Sequence, residues 1–225
     1  MVHVVRNYPK PDPGVLDELR SFTAATVYEA GGRVGFVDPR IKPVAPGVKI
    51  AGIALTVRCA PCDNIMLHKA LEIAGPGDVI VAEVSGYYDA GYWGGLMTDS
   101  AIARGVAGLA IDGCIRDGEE IVEKGFPAFC RGLCMRGTTK AVLGSVNHRI
   151  VFGGAVVNPG DLILGDDDGI VIVARERIDE VLAAAAKRVE AEQKKSAALA
   201  SGITSVELNK LKGKFDSLGL AEEEL

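Results

Sequence analysis

Residues 87–123, YYDAGYWGGLMTDSAIARGVAGLAIDGCIRDGEEIVE, constrain the fold more than any other part of this 225-residue chain. They read as a glycine-rich loop, a helix, a buried strand and an Arg-Asp pair that opens a second helix. The loop places Gly91, Gly94 and Gly95 around Trp93, the only tryptophan. Over 96–104 the spacing predicts a helix with Leu96, Ile102 and Ala103 on its buried face, and Gly105 is placed to end it. The apolar run 106–111 suits a short strand covered on both sides. Such a strand delivers Arg116 and Asp117 just past its C-terminal end, where open α/β sheets keep their chemistry.

The flanking chain reads as more of the same α/β pattern. Residues 14–30 have helical spacing through Leu16, Leu19, Phe22 and Tyr28, as two short helices that restart at Thr23, and Gly31-Gly32 supply a left-handed cap. Residues 50–58 (IAGIALTVR) read as a strand. Asn64 is placed to cap a helix over 65–74 whose apolar positions are Ile65, Leu67, Leu71 and Ile73. GPGD (75–78) reads as a turn into a buried strand, VIVAEVS (79–85). A second turn, NPGD (158–161), precedes LILGDDDGIVIV and suggests two comparable β units packed on one another. Residues 127–131 and 151–157 are strand-like.

Asp166-Asp167-Asp168-Gly169 reads as a hairpin turn in preference to a metal cluster, because Asp and Gly suit positive φ. Residues 178–199 form a long helix without Gly or Pro, ended by Gly202, with a narrow stripe of Ile178, Val181, Leu182, Ala185 and Val189. That helix packs on its own sheet or on a neighbouring subunit, and a short helix follows from Ser205. The organisation is an extended lead-in (1–14), an α/β catalytic domain (15–175) and a C-terminal helical segment (176–225).

Hydrophobic residues make up 48% and charged residues 24%, an ordinary soluble globular profile. The net charge of −5, with basic residues scattered, leaves no footprint for nucleic acid. No apolar run approaches the roughly 20 residues that span a bilayer. The start, MVHVVRNYPKPDPG, lacks the regions of a signal peptide, so a cytoplasmic location is expected. Five cysteines, an odd number, argue against a disulfide framework. Cys59 and Cys62 with Cys130 and Cys134 have the spacing of a four-thiolate zinc site, but both pairs lie beside apolar strand-like runs, where cysteine acts as a small hydrophobe. His68 reads as a partly exposed helix histidine rather than a ligand.

Arg116-Asp117-Gly118-Glu119-Glu120 has a plain structural explanation: Asp117 at the N-cap and Glu120 three residues on form a capping box that contributes about 1 kcal/mol. That leaves Arg116 unexplained. A cation at a helix N-terminus opposes the macrodipole, so its position implies a nearby anion. Gly94 and Gly95 let the backbone approach a ligand, and the Leu96 and Met97 N–H groups make an anion site of the helix N-terminus kind. Together these parts suit a small 2-oxo acid, with amides for its carboxylate, Arg116 for its keto or enolate oxygen and Asp117 for a divalent cation. One carboxylate and several waters fit Mg²⁺ better than zinc.

Gly95, twenty residues, then Arg116-Asp117-x-x-Glu120 resembles the Gly-x20-Arg-Asp-x2-Glu/Asp signature of divalent-metal pyruvate aldolases. These are the 4-hydroxy-4-methyl-2-oxoglutarate and 4-carboxy-4-hydroxy-2-oxoadipate aldolases, in the superfamily of the regulator of ribonuclease activity A. GDVIVAEVSG, ARGVAGLAIDGCIRD, GTTKAVLGSVN and VVNPGDLILGDDDGIVIV also look like family blocks, so the likeness covers roughly residues 15–200.

The resemblance implies a swivelling α-β-β-α sandwich with a long C-terminal helix, assembled as homotrimers or hexamers with interfacial sites. It implies retro-aldol release of pyruvate with Mg²⁺ or Mn²⁺, oxaloacetate decarboxylation as a side activity, and a place in aromatic-compound (protocatechuate or gallate) degradation. Asp117 matches the metal ligand, Arg116 the enolate-stabilising arginine, and Leu96 and Met97 the carboxylate-binding amides. Some family aldolases carry an acid where this chain has Gly95. Asp99, one helical turn on, is the substitute the sequence offers, although it reads more simply as a helix-surface acid. Glu120 is a further candidate site residue, and Glu190 and Glu192 are the nearest match for a glutamate donated by a neighbouring subunit. The alternative the resemblance offers is a non-catalytic regulator of ribonuclease E. Such regulators lack the aspartate after the arginine, so Asp117 favours the enzyme. No glycine-rich nucleotide loop with a partner acid supports S-adenosylmethionine binding.

Overall fold

A computed structural model describes residues 2–223; the expected lead-in and tail run on to Met1, Glu224 and Leu225, which lie outside the described residues. In chain order the strands begin β1 (His3–Val4), β2 (Lys42–Pro43), β3 (Ile50–Arg58), β4 (Asp78–Glu83), β5 (Gly108–Asp112), β6 (Cys114–Ile115) and β7 (Ala128–Cys130). They continue β8 (Gly132–Leu133), β9 (Ser145–Val146), β10 (Ile150–Phe152), β11 (Ala155–Val157), β12 (Leu162–Asp166) and β13 (Gly169–Val173). The helices begin α1 (Val15–Arg20), α2 (Ala24–Ala30), α3 (Ile65–Ile73), α4 (Gly95–Ala103) and α5 (Gly118–Glu123). They continue α6 (Ile178–Ala200), α7 (Ser205–Leu208) and α8 (Lys212–Leu218).

The chain is α/β. Strands β3, β4, β5 and β7 run parallel and adjacent, joined by α3, α4 and α5 as successive crossovers. Same-sense crossovers between neighbours place their helices on one face. There Met66, Leu67, Ala101 and Ile121 close a core over Leu55, Ile80, Leu109 and Ile111. The other face packs Ile50, Val79, Val81 and Ala110 against Val37, Ile41 and the hairpin β10–β11. Covered on both faces, β3 is buried almost throughout, so its apolar character is continuous and not alternating.

Strand β3 is long enough to serve two partners along one edge. Its first half pairs antiparallel with β12 and its last two residues with β9, while β4 takes the other edge. This corrects the expectation of two β units packed on one another: the strands after GPGD and NPGD flank β3 within one sheet. The two turns nevertheless share a mechanism, since Asp78 accepts from Gly75 N at 3.0 Å and Asp161 from Asn158 N at 2.8 Å. Residues 151–157, expected as a strand, belong to the hairpin β10–β11, which reverses at Gly153 and Gly154 with φ of +51° and +83°. Residues 166–169 form the expected tight reversal between β12 and β13, and Asp166 also anchors the Ala24 N–H at 2.9 Å.

The lead-in is tied down by one buried carboxylate. Asp78, fully buried, accepts from Tyr8 Oη at 2.7 Å and Lys10 Nζ at 2.6 Å. Helices α1 and α2 break at Thr23, whose hydroxyl accepts from Thr26 N, and Gly32 caps α2 with φ +80°. The chain divides into a compact unit through Ala185 and a second unit from Ala186. The first holds the opening turns of α6, with Ile178, Val181, Leu182 and Ala185 buried. In the second, the later turns of α6 are largely exposed, and α7 opens with a capping box between Thr204 and Glu207. No helix among the described residues is long and apolar enough to cross a membrane.

Candidate active site

The glycine-rich loop and the Arg-Asp pair are zipped together through their backbones. Gly91 bridges Cys114, Tyr92 N donates to Cys114 O at 3.0 Å, and Arg116 N donates to Trp93 O at 2.9 Å. Trp93 anchors the loop: it is buried, stacks on Phe126 with an interplanar angle of 5°, and donates from Nε1 to Thr98 Oγ1 at 2.8 Å. Close approach explains the glycines. A Cβ on Gly91 would overlap Cys134 O, and one on Gly94 would press on Asp117 Oδ2.

Two expectations for the helices fail, each for a physical reason. Asp117 precedes α5 but caps nothing there, since its backbone is left-handed (φ 56°, ψ 39°) and its side chain makes no cap bond. Oδ2 instead accepts from Gly95 N at 3.1 Å, across the loop, and Glu120 turns away to Lys124 Nζ at 2.6 Å. The backbone zip sets this conformation and overrides the local capping-box pattern. In α4, Leu96 is 86% exposed and Ile102 is also exposed, while Gly95, Met97, Thr98 and Ala101 form the buried face. Gly105, with φ +70°, ends that helix as expected.

The amides are likewise not all free. Met97 N donates to Gly94 O at 3.1 Å and Gly95 N serves Asp117, so of the Gly95, Leu96 and Met97 amides the Leu96 N–H is the one without a protein acceptor among the described residues.

Gly94, Gly95, Leu96, Met97, Arg116 and Asp117 all line one cavity of about 260 Å³. Arg116 Nε lies 3.6 Å from Asp117 Oδ2, and both side chains are nearly half exposed. Sequence reasoning missed the rest of the lining, notably Asn64, Thr138 and Lys140, and read His68 as a bystander. Asn64 is not a cap: Asp63 Oδ1 takes the Ile65 N–H, while Asn64 Nδ2 donates to Tyr92 O at 2.9 Å. Its buried Oδ1 has no hydrogen-bond partner among the described residues. Buried acceptors are normally satisfied, so this one points to a missing donor.

Asp63, 1% exposed, holds the 137–142 loop by accepting from Thr139 Oγ1, Ala141 N and Val142 N at 2.7, 2.6 and 3.1 Å. Burial pushes its carboxyl up, and these bonds with that from Ile65 outweigh burial and hold it below the usual range. Burial, then the Lys140 charge, lower His68, which is therefore neutral at pH 7. Burial raises Tyr92 to about 12; its hydroxyl accepts from Cys62 N and donates to Tyr87 O.

Asp99 and Glu120 share Lys124 Nζ, at 2.7 and 2.6 Å, and neither lines the cavity; the Glu120 carboxylate occupies the volume that a Cβ on Gly95 would enter. Glu190 and Glu192 lie on α6 within the second unit, where Glu192 pairs with Arg188 at 2.8 Å. Cys59 and Cys130 are buried in the core, and no group of three or more His, Cys, Asp or Glu among the described residues could hold a metal. A larger cavity of about 550 Å³ is lined by Val34, Phe36, Val171 and Arg177, and its buried acid Asp161 is engaged by backbone donors.

Comparison with known proteins agrees with this architecture. A protein of Halalkalibacterium halodurans named "Putative 4-hydroxy-4-methyl-2-oxoglutarate aldolase" is 30% identical over 191 residues, 85% of this chain and 91% of its own. A crystal structure of an uncharacterized protein from Pseudomonas syringae pv. tomato superposes with a TM-score of 0.81 at 31% identity, covering 92% of this chain and 97% of that one. RraAS2 of Streptomyces coelicolor, described as an unusual member of the RNase ES inhibitor RraA family, gives 0.76 at 27% identity, covering 84% and 99%. A family model described as RraA-like, Aldolase/RraA, matches residues 14–172, and the chain belongs to that family.

Proposed function

We propose that this chain is a divalent-metal-dependent lyase that cleaves 4-hydroxy-4-methyl-2-oxoglutarate or 4-carboxy-4-hydroxy-2-oxoadipate to pyruvate plus pyruvate or oxaloacetate. Decarboxylation of oxaloacetate would be a side activity. The observation that carries this is Asp117, turned away from its own helix in a left-handed conformation and set beside Arg116 at the cavity. Strained backbone of this kind persists where the surroundings impose it, and it gathers at functional sites.

The donor set fits a hydrated Mg²⁺ or Mn²⁺: one cavity-facing carboxylate, no cluster of three ligands among the described residues, and room for waters. Asp117 would hold the ion, which when bound supplies Lewis-acid polarisation of the 2-oxo group. The Leu96 N–H receives the C1 carboxylate at the start of α4, where the helix dipole favours an anion. Arg116 stabilises the negative charge that grows on the C2 oxygen as the C3–C4 bond breaks.

The 4-hydroxyl proton passes to a base, with Glu120 behind Gly95, held by Lys124 at 2.6 Å, as the carboxylate and a water as relay. The C3–C4 electron pair becomes the pyruvate enolate, which is then protonated at C3. In oxaloacetate the same pair is released by departing carbon dioxide. The exposed Leu96 and Met135 beside the site support an assembly in which neighbouring copies cover it, as a trimer or dimer of trimers.

The test is a coupled assay for pyruvate release from both hydroxy-oxo acids. Chelator should abolish turnover, and Mg²⁺ or Mn²⁺ should restore it. Full activity in excess chelator would sink the proposal. A second reading, regulation of a ribonuclease, draws on the printed description of the Streptomyces relative. Inhibition of a ribonuclease by a chain with no lyase activity would favour it.

A further inference from the structure

The pyruvyl half of a substrate engages Leu96, Arg116 and Asp117, which leaves the wall built from Asn64, Thr138 and Lys140 without a role. The cavity, about 260 Å³, equals the liquid volume of about nine waters at about 30 Å³ each. A three-carbon oxo acid has six heavy atoms, so a longer molecule fits.

That wall is rigid. Thr139 N donates to Cys62 O at 2.8 Å and Asn64 N to Thr139 O at 3.1 Å, while buried Asp63 grips Thr139, Ala141 and Val142. Lys140 therefore sits between two fixed residues, with its backbone held at the cavity. Its ammonium forms no ion pair among the described residues, unlike Lys10, Lys69 and Lys124. Neutral His68 adds no charge, so Arg116 and Lys140 supply two cations against the single carboxylate of Asp117. Asn64 Oδ1, buried and without a hydrogen-bond partner among the described residues, leaves a second polar group of the same wall unsatisfied.

The geometry points to Lys140 as a specificity-determining residue that reads a second carboxylate, at the end of the substrate away from the 2-oxo acid. This rests on the pyruvate-lyase reading and adds the group that selects dicarboxylic over monocarboxylic 2-oxo acids. Lys140 touches the distal carboxylate and takes no part in bond cleavage. An ammonium suits this task, because a point charge on a flexible stem tolerates substrates of different length.

Two non-cleaved ligands isolate the effect: 2-oxoglutarate and 2-oxopentanoate share five carbons and differ in the distal carboxylate. Calorimetric titration of the whole chain with Mg²⁺ should show about tenfold tighter binding of 2-oxoglutarate, the worth of one charge-assisted hydrogen bond. Lys140→Gln should erase that preference and leave 2-oxopentanoate affinity unchanged, and Lys140→Arg should keep most of it. Lys140 is exposed, so both variants should fold. A preference that survives in Lys140→Gln, or none in the unmodified chain while pyruvate still binds, overturns this inference and leaves the pyruvate site standing. Failure of pyruvate itself to bind overturns both.

Discussion

Asp117→Asn separates stability from chemistry at this site more cleanly than any other substitution. The side chain keeps its size and an amide oxygen that can still accept from Gly95 N, now 3.1 Å from Oδ2. The left-handed backbone at φ 56° is one that asparagine adopts as readily as aspartate. The lost ion pair with Arg116 spans 3.6 Å between side chains that are 49% and 41% exposed, worth close to nothing after solvent screening. The net change should stay within about 1 kcal/mol, or about 2–4 °C in Tm for a chain of this size.

Asp117→Ala differs on both counts. It loses the hydrogen bond, about 1 kcal/mol. It also keeps a left-handed residue without a short polar side chain, at about 1 kcal/mol more. Its Tm should fall by about 4–8 °C. Turnover should drop by at least about 10³ in both variants, since each loses the carboxylate proposed to hold a cation beside Arg116. Scanning fluorimetry and the coupled pyruvate assay read the two quantities on the same preparations. An asparagine variant with near-native turnover would refute the role given to Asp117. An alanine variant as stable as the asparagine one would refute the strain argument.

Two further outcomes follow. Lys124 grips Glu120 at 2.6 Å and Asp99 at 2.7 Å, so Lys124→Met should release the Glu120 carboxylate. Aldol cleavage should slow about tenfold through lost positioning, and decarboxylation less, because it removes no hydroxyl proton; equal loss in both reactions would contradict Glu120 as the base. The second outcome concerns alkaline pH. Burial raises the Cys130 thiol to about 11, and burial likewise raises Cys59 and Tyr8, so these groups keep their protons when folded. Unfolded thiols ionise near about 8.5, so the unfolded state binds fewer protons above that pH and stability falls as pH rises. Tm measured under reductant should decline from pH 8 to 10.5, and less steeply in Cys130→Ala; a flat profile would refute the burial argument.

Much of this architecture was legible because it is local. The limits of β3, the restart at Thr23, the stop at Gly105 and the reversal at residues 166–169 each depend on neighbours in sequence. The convergence of the glycine loop with Arg116 and Asp117 was legible from strand logic. What escaped depends on distant partners. Asp117 looks like a cap until the backbone bonds from residues 91–93 turn it over. The buried face of α4 could not be chosen from a helix with apolar or small residues on every side. Lys140 reaches the cavity because Asp63, more than seventy residues earlier, captures its loop, and one aspartate between Cys62 and Asn64 gives no sign of that reach.

The overlap between Gly95 and Glu120 has an evolutionary consequence. A side chain on residue 95 would meet the carboxylate of residue 120, the far end of a flexible side chain that would have to turn aside, so an acid at either position can fill that volume. Relatives should therefore fall into two groups, one with an acid at the position of Gly95 and a short or retracted residue at that of Glu120, the other with the arrangement seen here. The two positions should vary together across the family while the arginine and aspartate between them stay fixed, one carboxylate delivered by two alternative routes of the chain.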